Sequence, residues 1–312
     1  MRALLAGTLV VSLLTTAGCG SPAQTAPARD TPVGRGTAET RAGAAPVREV
    51  DLSIQSRNAT LAATLRFPST GKPPYPAIVL AHGSGLITRT EQRPLAERFL
   101  AMGLAVLTYD KRGVGESTGT YVNVGTARSI EIFGLLADDA LAGVHAIRSR
   151  PDIDANRVGL GGASQAGWIT PLAASRSSAV RFVVILSGPA VTVGEEMEYS
   201  RLAGADPGSI QGLSDADIDR RMREFKGPYG YDPVPILEQL TTPSFWVEGE
   251  YDRSVPMAQT LATLERIRLS GRPVTVLRLP GADHSLRNPV TGARPDFWPQ
   301  VRLWLAGLKI TS

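Results

Sequence analysis

The sequence is poor in residues that staple a fold or ligate a metal. Its 312 residues include one Cys and three His. A single Cys excludes any disulfide within the chain, and three His with no metal-ligand spacing exclude a His-rich zinc site. Lysine is also scarce: only four of the 33 basic residues are Lys. The basic residues are scattered, face 29 acids, leave a net charge of +4 and form no block of like charge. That argues against a nucleic-acid partner. No internal repeat is present. What the chain does have is 43% hydrophobic residues, enough at this length to bury a full core and too many for wholesale disorder.

The longest apolar run near the start, Ala3–Leu14, follows Met1-Arg2. About a dozen residues is short for a bilayer span and has the proportions of a signal peptide. The run ends in Thr15-Thr16-Ala17-Gly18-Cys19, where small residues precede the chain's only Cys. This segment resembles a bacterial lipobox, although Thr16 stands where Leu is commoner. The expectation is a signal peptide over 1–18 and lipidation of Cys19. Residues 20–46 are rich in Ala, Pro, Thr, Gly and Arg without apolar periodicity. With Cys19 they read as a disordered tether, 19–46, anchoring an extracytoplasmic domain, 47–312, to a bacterial membrane.

Within that domain, Val47–Ile54 and Thr60–Phe67 alternate apolar and polar residues around Arg57-Asn58. They predict an antiparallel strand pair. Continuous apolar runs follow at Ala77–Ala81, Ala105–Tyr109, Val158–Leu160, Phe182–Leu186, Phe245–Val247 and Val274–Leu277. Such runs suit strands buried on both faces. Helical patterns lie between and after them at Arg93–Ala101, Ile130–Arg148, Ala166–Ser175, Met257–Ile267 and Trp298–Leu308. The alternation predicts an α/β fold, a mostly parallel sheet of about eight strands with helices on both faces. It breaks at 190–240, which carries Gly, Pro and charge and a polar helical stretch at Asp215–Phe225. This insertion leaves and rejoins the sheet at the edge where α/β folds bind ligands, so it is expected to be a lid. Met197, Tyr199, Phe225, Tyr229 and Tyr231 are its candidate pocket wall.

Two serines compete as nucleophile. Gly115-Glu116-Ser117-Thr118-Gly119 fits G-x-S-x-G by letter, whereas Gly162-Ala163-Ser164-Gln165-Ala166 fits only with small residues at the ends. Context favours Ser164. A nucleophile elbow needs a strand, a sharp turn and a helix; Arg157–Gly161 and Gln165–Ser175 supply the strand and helix, and Ser117 has no helix after it.

A serine hydroxyl needs a base. Of the three His, His145 sits in mid-helix, His82 ends a buried strand, and His284 lies in a loop between the last strand and the last helix. His284 is the expected base. The acid belongs between Ser and His in chain order, and Asp252 sits on a strand-to-helix loop there. Glu248, Glu250 and Asp283 are weaker candidates. The oxyanion donors are expected from the backbone of Gln165, which follows the nucleophile, and of Ser84, between two glycines after the third strand.

Together these segments resemble the α/β-hydrolase superfamily over nearly all of 47–310. Tyr109–Ser117, with Asp110-Lys111-Arg112-Gly113, is similar to the Asp-x-Arg-Gly loop of its serine-hydrolase esterases and the related serine aminopeptidases. Gly162–Ile169 and Gly249–Pro256 are similar to the same group; Ala166 departs from its commoner Gly. The resemblance implies hydrolysis of a small-molecule acyl ester through an acyl-enzyme, without cofactor or metal, with Asp110 and Arg112 bracing their loop. A peptidase or amidase would need acids for a substrate amine, and Glu195, Glu196 and Glu198 form the available cluster. A thioesterase, a lactonase or a silent binding lipoprotein are further alternatives.

Overall fold

The computed structural model describes residues 48–205 and 209–311. The leader, Cys19 and the tether lie outside the described residues. The expected strand pair is present: β1 (Glu49–Ser56) and β2 (Ala59–Arg66) run antiparallel, joined by a turn with Arg57 at φ 51°. The apolar runs form β3 (Tyr75–Leu80), β4 (Ala105–Tyr109), β5 (Ile153–Ala163), β6 (Val183–Leu186), β7 (Ser244–Gly249) and β8 (Val274–Leu279). They make one eight-stranded sheet in the order β1-β2-β4-β3-β5-β6-β7-β8. Only β2 runs against its neighbours.

Helices cover both faces. α1 (Arg93–Leu100), α2 (Ser129–Arg148) and α3 (Ala166–Arg176) lie between strands in sequence. The insertion after β6 contributes α4 (Val193–Ala203), α5 (Asp215–Glu224) and the single turn α6 (Val234–Leu237). α7 (Met257–Leu269) and α8 (Trp298–Gly307) complete the order. Phe133, Trp168 and Leu264, from α2, α3 and α7, belong to the core on one face, and Phe99 and Leu305, from α1 and α8, to the core on the other. Burial on both sides explains why the central strands carry Val, Ile, Leu and Ala without alternation. Among the described residues, no helix is long and apolar enough to cross a membrane.

The helix α4 was not expected from the sequence pattern. Thr192 and Glu195 form a reciprocal capping box at its start, and Gly204 in the left-handed region ends it. Of the residues expected to form a pocket wall, one is placed elsewhere and the others are engaged as follows. Tyr199 in α4 donates its hydroxyl to the Asp252 carbonyl at 3.0 Å. Phe225 and Tyr229 pack edge to face at 5.4 Å, and Met197 is exposed. Tyr231 is buried in the core instead, its ring 5.2 Å from Phe133, because the segment before α6 folds back against α2.

Candidate active site

β5 ends at Ala163 and α3 starts at Ala166, so the backbone has two residues in which to turn. Ser164 makes the turn at φ 56°, a left-handed conformation that costs a non-glycine residue roughly 1–3 kcal/mol and persists only where its surroundings enforce it. They do: the Ser164 amide donates to Leu186 O at 2.9 Å, and its carbonyl accepts from the Gly167 amide at 2.8 Å. Tight packing behind it requires glycine. A Cβ on Gly162 would lie 2.5 Å from Ala166 Cβ and 2.6 Å from Ala81 O.

Ser117, the better match by letter, is committed elsewhere. Its buried hydroxyl donates to Asp110 O at 2.7 Å and accepts from the Ala62 amide at 3.0 Å, pinning its loop to β2. The neighbouring bracing is as the resemblance implied. Arg112 makes a buried two-point contact with Asp139 (2.8 and 2.6 Å), and Asp110 accepts from the Arg89 and Glu116 amides at 2.7 and 2.9 Å.

The structure brings His284 and Asp252 together across 32 residues: His284 Nδ1 lies 2.7 Å from Asp252 Oδ2. The other carboxylate oxygen accepts from the Ser254 and Val255 amides at 2.7 and 2.8 Å, which fixes the carboxylate plane. Close approach of the two loops rests on Gly249, where a Cβ would sit 2.5 Å from the Ala282 and Asp283 carbonyl oxygens. Tyr251 N–H then donates to Ala282 O at 2.8 Å. Asp252 is fully buried, whereas the His284 side chain is 31% exposed and can reach substrate. Burial disfavours the imidazolium, but the hydrogen bond and charge of Asp252 outweigh it, and the His284 pKa is raised above 6.5.

The alternative acids are placed otherwise. Glu250 pairs with Arg278, and Asp283 accepts amide hydrogens from its own loop. Glu248 is buried on β7; burial, then repulsion from Asp252, pushes its pKa well up, and one of its oxygens has no partner among the described residues.

The loop after β3 lies against the elbow. A Cβ on Gly83 would fall 3.7 Å from Ser164 Cβ, and the next residue, Ser84, is exposed. Gln165 occupies the start of α3. His82 is buried, and burial lowers its pKa to about 3. As a neutral imidazole it donates from Nε2 to Tyr109 O at 2.6 Å and anchors the loop. His145 is exposed on α2.

One residue of this site was passed over in the sequence. Lys111 donates from Nζ to Gly83 O (2.8 Å), Gly85 O (3.2 Å) and Gln165 Oε1 (3.0 Å). A buried ammonium thus joins both segments that flank Ser164. Burial lowers its pKa to about 8. Its only trace in the sequence is its place between the two bracing residues, Asp110 and Arg112. Among the described residues, no group of three or more His, Cys, Asp or Glu is placed to hold a metal.

A parallel sheet with one antiparallel strand, an elbow serine after β5 and a His loop after β8 define an α/β hydrolase. Residues 94–297 match the prolyl oligopeptidase family, Peptidase S9, and the chain belongs to that family as a serine hydrolase of the α/β fold. Among characterised relatives it is 32% identical to Esterase EstD of Thermotoga maritima over 209 residues, 59% of this chain and 48% of that protein. It is 25% identical to the acylamino-acid-releasing enzyme of Rattus norvegicus over 268 residues, 81% of this chain and 34% of that protein. The alignments thus span less than half the length of these relatives. In fold it is similar to the Pyrococcus furiosus esterase Pf2001, with TM-score 0.60 and 19% identity over 84% of this chain and 93% of that one.

Proposed function

We propose that this hydrolase cleaves carboxylic esters through a Ser164–His284–Asp252 triad. The observation that carries the reading is the 2.7 Å Asp252–His284 contact at the same sheet edge as a serine held at φ 56°. His284 takes the Ser164 proton as Oγ attacks the ester carbonyl, and Asp252 stabilises the imidazolium. The amides of Ser84 and Gln165 receive the developing oxyanion. The alkoxide leaves with the proton from His284, and water activated by the same imidazole releases the acid. Support for esters comes from the names of EstD and Pf2001.

Amide cleavage is the second reading, favoured by the family's peptidases and by the acylamino-acid-releasing relative. Of the acids that could receive a substrate amine, Glu195 is taken by its capping box and Glu198 by Arg201, while the charge of Glu196 reaches His284. Turnover of aryl esters against aminoacyl anilides separates the two. The ester reading expects faster ester turnover, lowered by about 10⁴–10⁶ in Ser164→Ala and by less than about tenfold in Ser117→Ala. Anilide turnover exceeding ester turnover would reverse the assignment. We place the enzyme outside the cytoplasm, held to a bacterial membrane by lipid on Cys19. Cys19→Ser should release it from the membrane fraction, and unchanged retention would refute the anchor.

A further inference from the structure

A cavity of about 620 Å³ opens beside His284, between α1, the start of α8 and the ends of β5 and β6. Its walls combine apolar side chains, two arginines and two glutamates. Leu95, Leu286 and Phe297 supply apolar surface, while the polar groups without partners are donors. Arg98 and Arg294 both line it, and neither has a carboxylate within ion-pair distance among the described residues. Arg98 lies over the Trp298 ring at 6.0 Å, and Arg294 donates only to Ser285 O at 3.1 Å. The acids at the rim are already engaged. Glu91 accepts from the Thr88 amide and hydroxyl (2.8 and 2.9 Å), and Glu97 pairs with Arg93.

Deeper in, Ser187 is 2% exposed and its hydroxyl has no partner among the described residues. Its φ of 49° puts a non-glycine residue in the left-handed region just past the end of β6, the strand next to the elbow strand. The Trp298 indole N–H, from another wall residue, is buried and likewise has no partner among the described residues. Leaving a buried donor unpaired is costly, and a ligand in the cavity would supply the missing acceptor. Arg98 and Arg294 are themselves exposed; partial desolvation, followed by the positive charges of Arg287 and Arg98, lowers the Arg294 pKa from its usual value against the opposing charge of Asp283.

We propose that this cavity binds a carboxylate at the far end of the ester, so that the enzyme selects anionic esters with Arg98 and Arg294 as specificity residues. The inference rests on the ester reading above and names its substrate class. Guanidinium groups pair with carboxylates through charge-assisted hydrogen bonds. The apolar wall takes the carbon chain between the carboxylate and the ester, which enters from the His284 side. Ser187 and Trp298 offer neutral donors to the same end group.

The test compares mono-4-nitrophenyl adipate with 4-nitrophenyl hexanoate, which differ in a terminal carboxylate on the acyl side. A second pair, 4-acetoxybenzoate and p-tolyl acetate, places it on the alcohol side. In one of the pairs the wild-type kcat/KM ratio of charged to neutral ester should exceed that of Arg98→Gln/Arg294→Gln by about 10- to 100-fold. Rising salt should shrink that preference, and the distant charge change Arg268→Gln should leave it unmoved. Ratios equal in wild type and double variant for both pairs would overturn the proposal. Failure to turn over any of the four esters, charged or neutral, would instead refute the ester reading. Calorimetric titration with adipate then decides separately: binding at least about tenfold weaker in the double variant supports the cavity assignment, and equal binding overturns it.

Discussion

Replacing Lys111 by Met should separate catalysis from stability. In the wild type the buried ammonium has its pKa lowered from 10.5 to about 8 by burial. A displacement of that size corresponds to a cost on the order of 3 kcal/mol for keeping the charged form folded at neutral pH. Because the folded-state pKa is depressed, the unfolded chain holds more protons between about pH 8 and 10.5. Stability should therefore rise with pH through that window, the cost being fully present below it. Met keeps most of the volume and removes the charge. The freed carbonyls of Gly83 and Gly85 are only partly buried and can turn to water, while the buried Gln165 Oε1 loses its partner and offsets part of the gain. Denaturant unfolding of Lys111→Met should show unchanged or increased stability at pH 7 and no rise between pH 8 and 10.5.

Activity should move the other way. Without the three contacts from Nζ, the Gly83–Gly85 loop is no longer tied to Gln165. Outright loss of one oxyanion donor costs roughly 10²–10³ in kcat, so a loosened pair should cost about 10- to 100-fold, with KM little changed. The wild-type profile of kcat/KM should climb as His284 loses its proton above pH 6.5 and fall near pH 8 as Lys111 loses its own. The alkaline fall should be absent in Lys111→Met. An unchanged kcat, or an alkaline limb that survives the substitution, would refute the clamp.

Asp252→Asn should lower kcat by about 10³–10⁴ by misorienting His284, whereas Glu248→Gln should stay within about threefold; a large loss in Glu248→Gln would make it the working acid. Arg112→Leu leaves the buried Asp139 carboxylate unpaired and should cost about 3–5 kcal/mol in urea unfolding; a loss under about 1 kcal/mol would show that Asp139 is satisfied without it. Tyr199→Phe should lower kcat/KM on long-chain esters by less than about tenfold if its hydroxyl serves only to tie α4 to the Asp252 loop. A loss near that of Asp252→Asn would place the hydroxyl in the reaction itself.

Much of this arrangement could be read along the chain because its signals are local. Doubly buried strands announce themselves as apolar runs, and β4 matches its run from Ala105 to Tyr109. Ser164 could be chosen over Ser117 because an elbow is a strand and a helix adjacent in sequence. The helix α4 went unseen because the insertion looked polar, although Thr192 and Glu195 carry a capping-box spacing that could have flagged it. Lys111 could not be found that way. Its acceptors lie 26 to 54 residues away, and only the pairing of β3 with β4 and β5 brings them to it. The cavity beside His284 likewise joins Arg98, Ser187 and Arg294 from three separate segments. Tyr231 was misplaced for a related reason: an aromatic residue in an insertion reads the same whether it lines a pocket or turns inward onto Phe133.

The central claim is that one serine, Ser164, is made nucleophilic by His284 and Asp252. Intact-mass and peptide mapping after reaction with a fluorophosphonate tests it most directly. The account predicts a single adduct on the peptide carrying Ser164, absent in Ser164→Ala and formed far more slowly in His284→Ala, with Ser117 unlabelled. An adduct on Ser117, or labelling of Ser164 at an undiminished rate in His284→Ala, would contradict it.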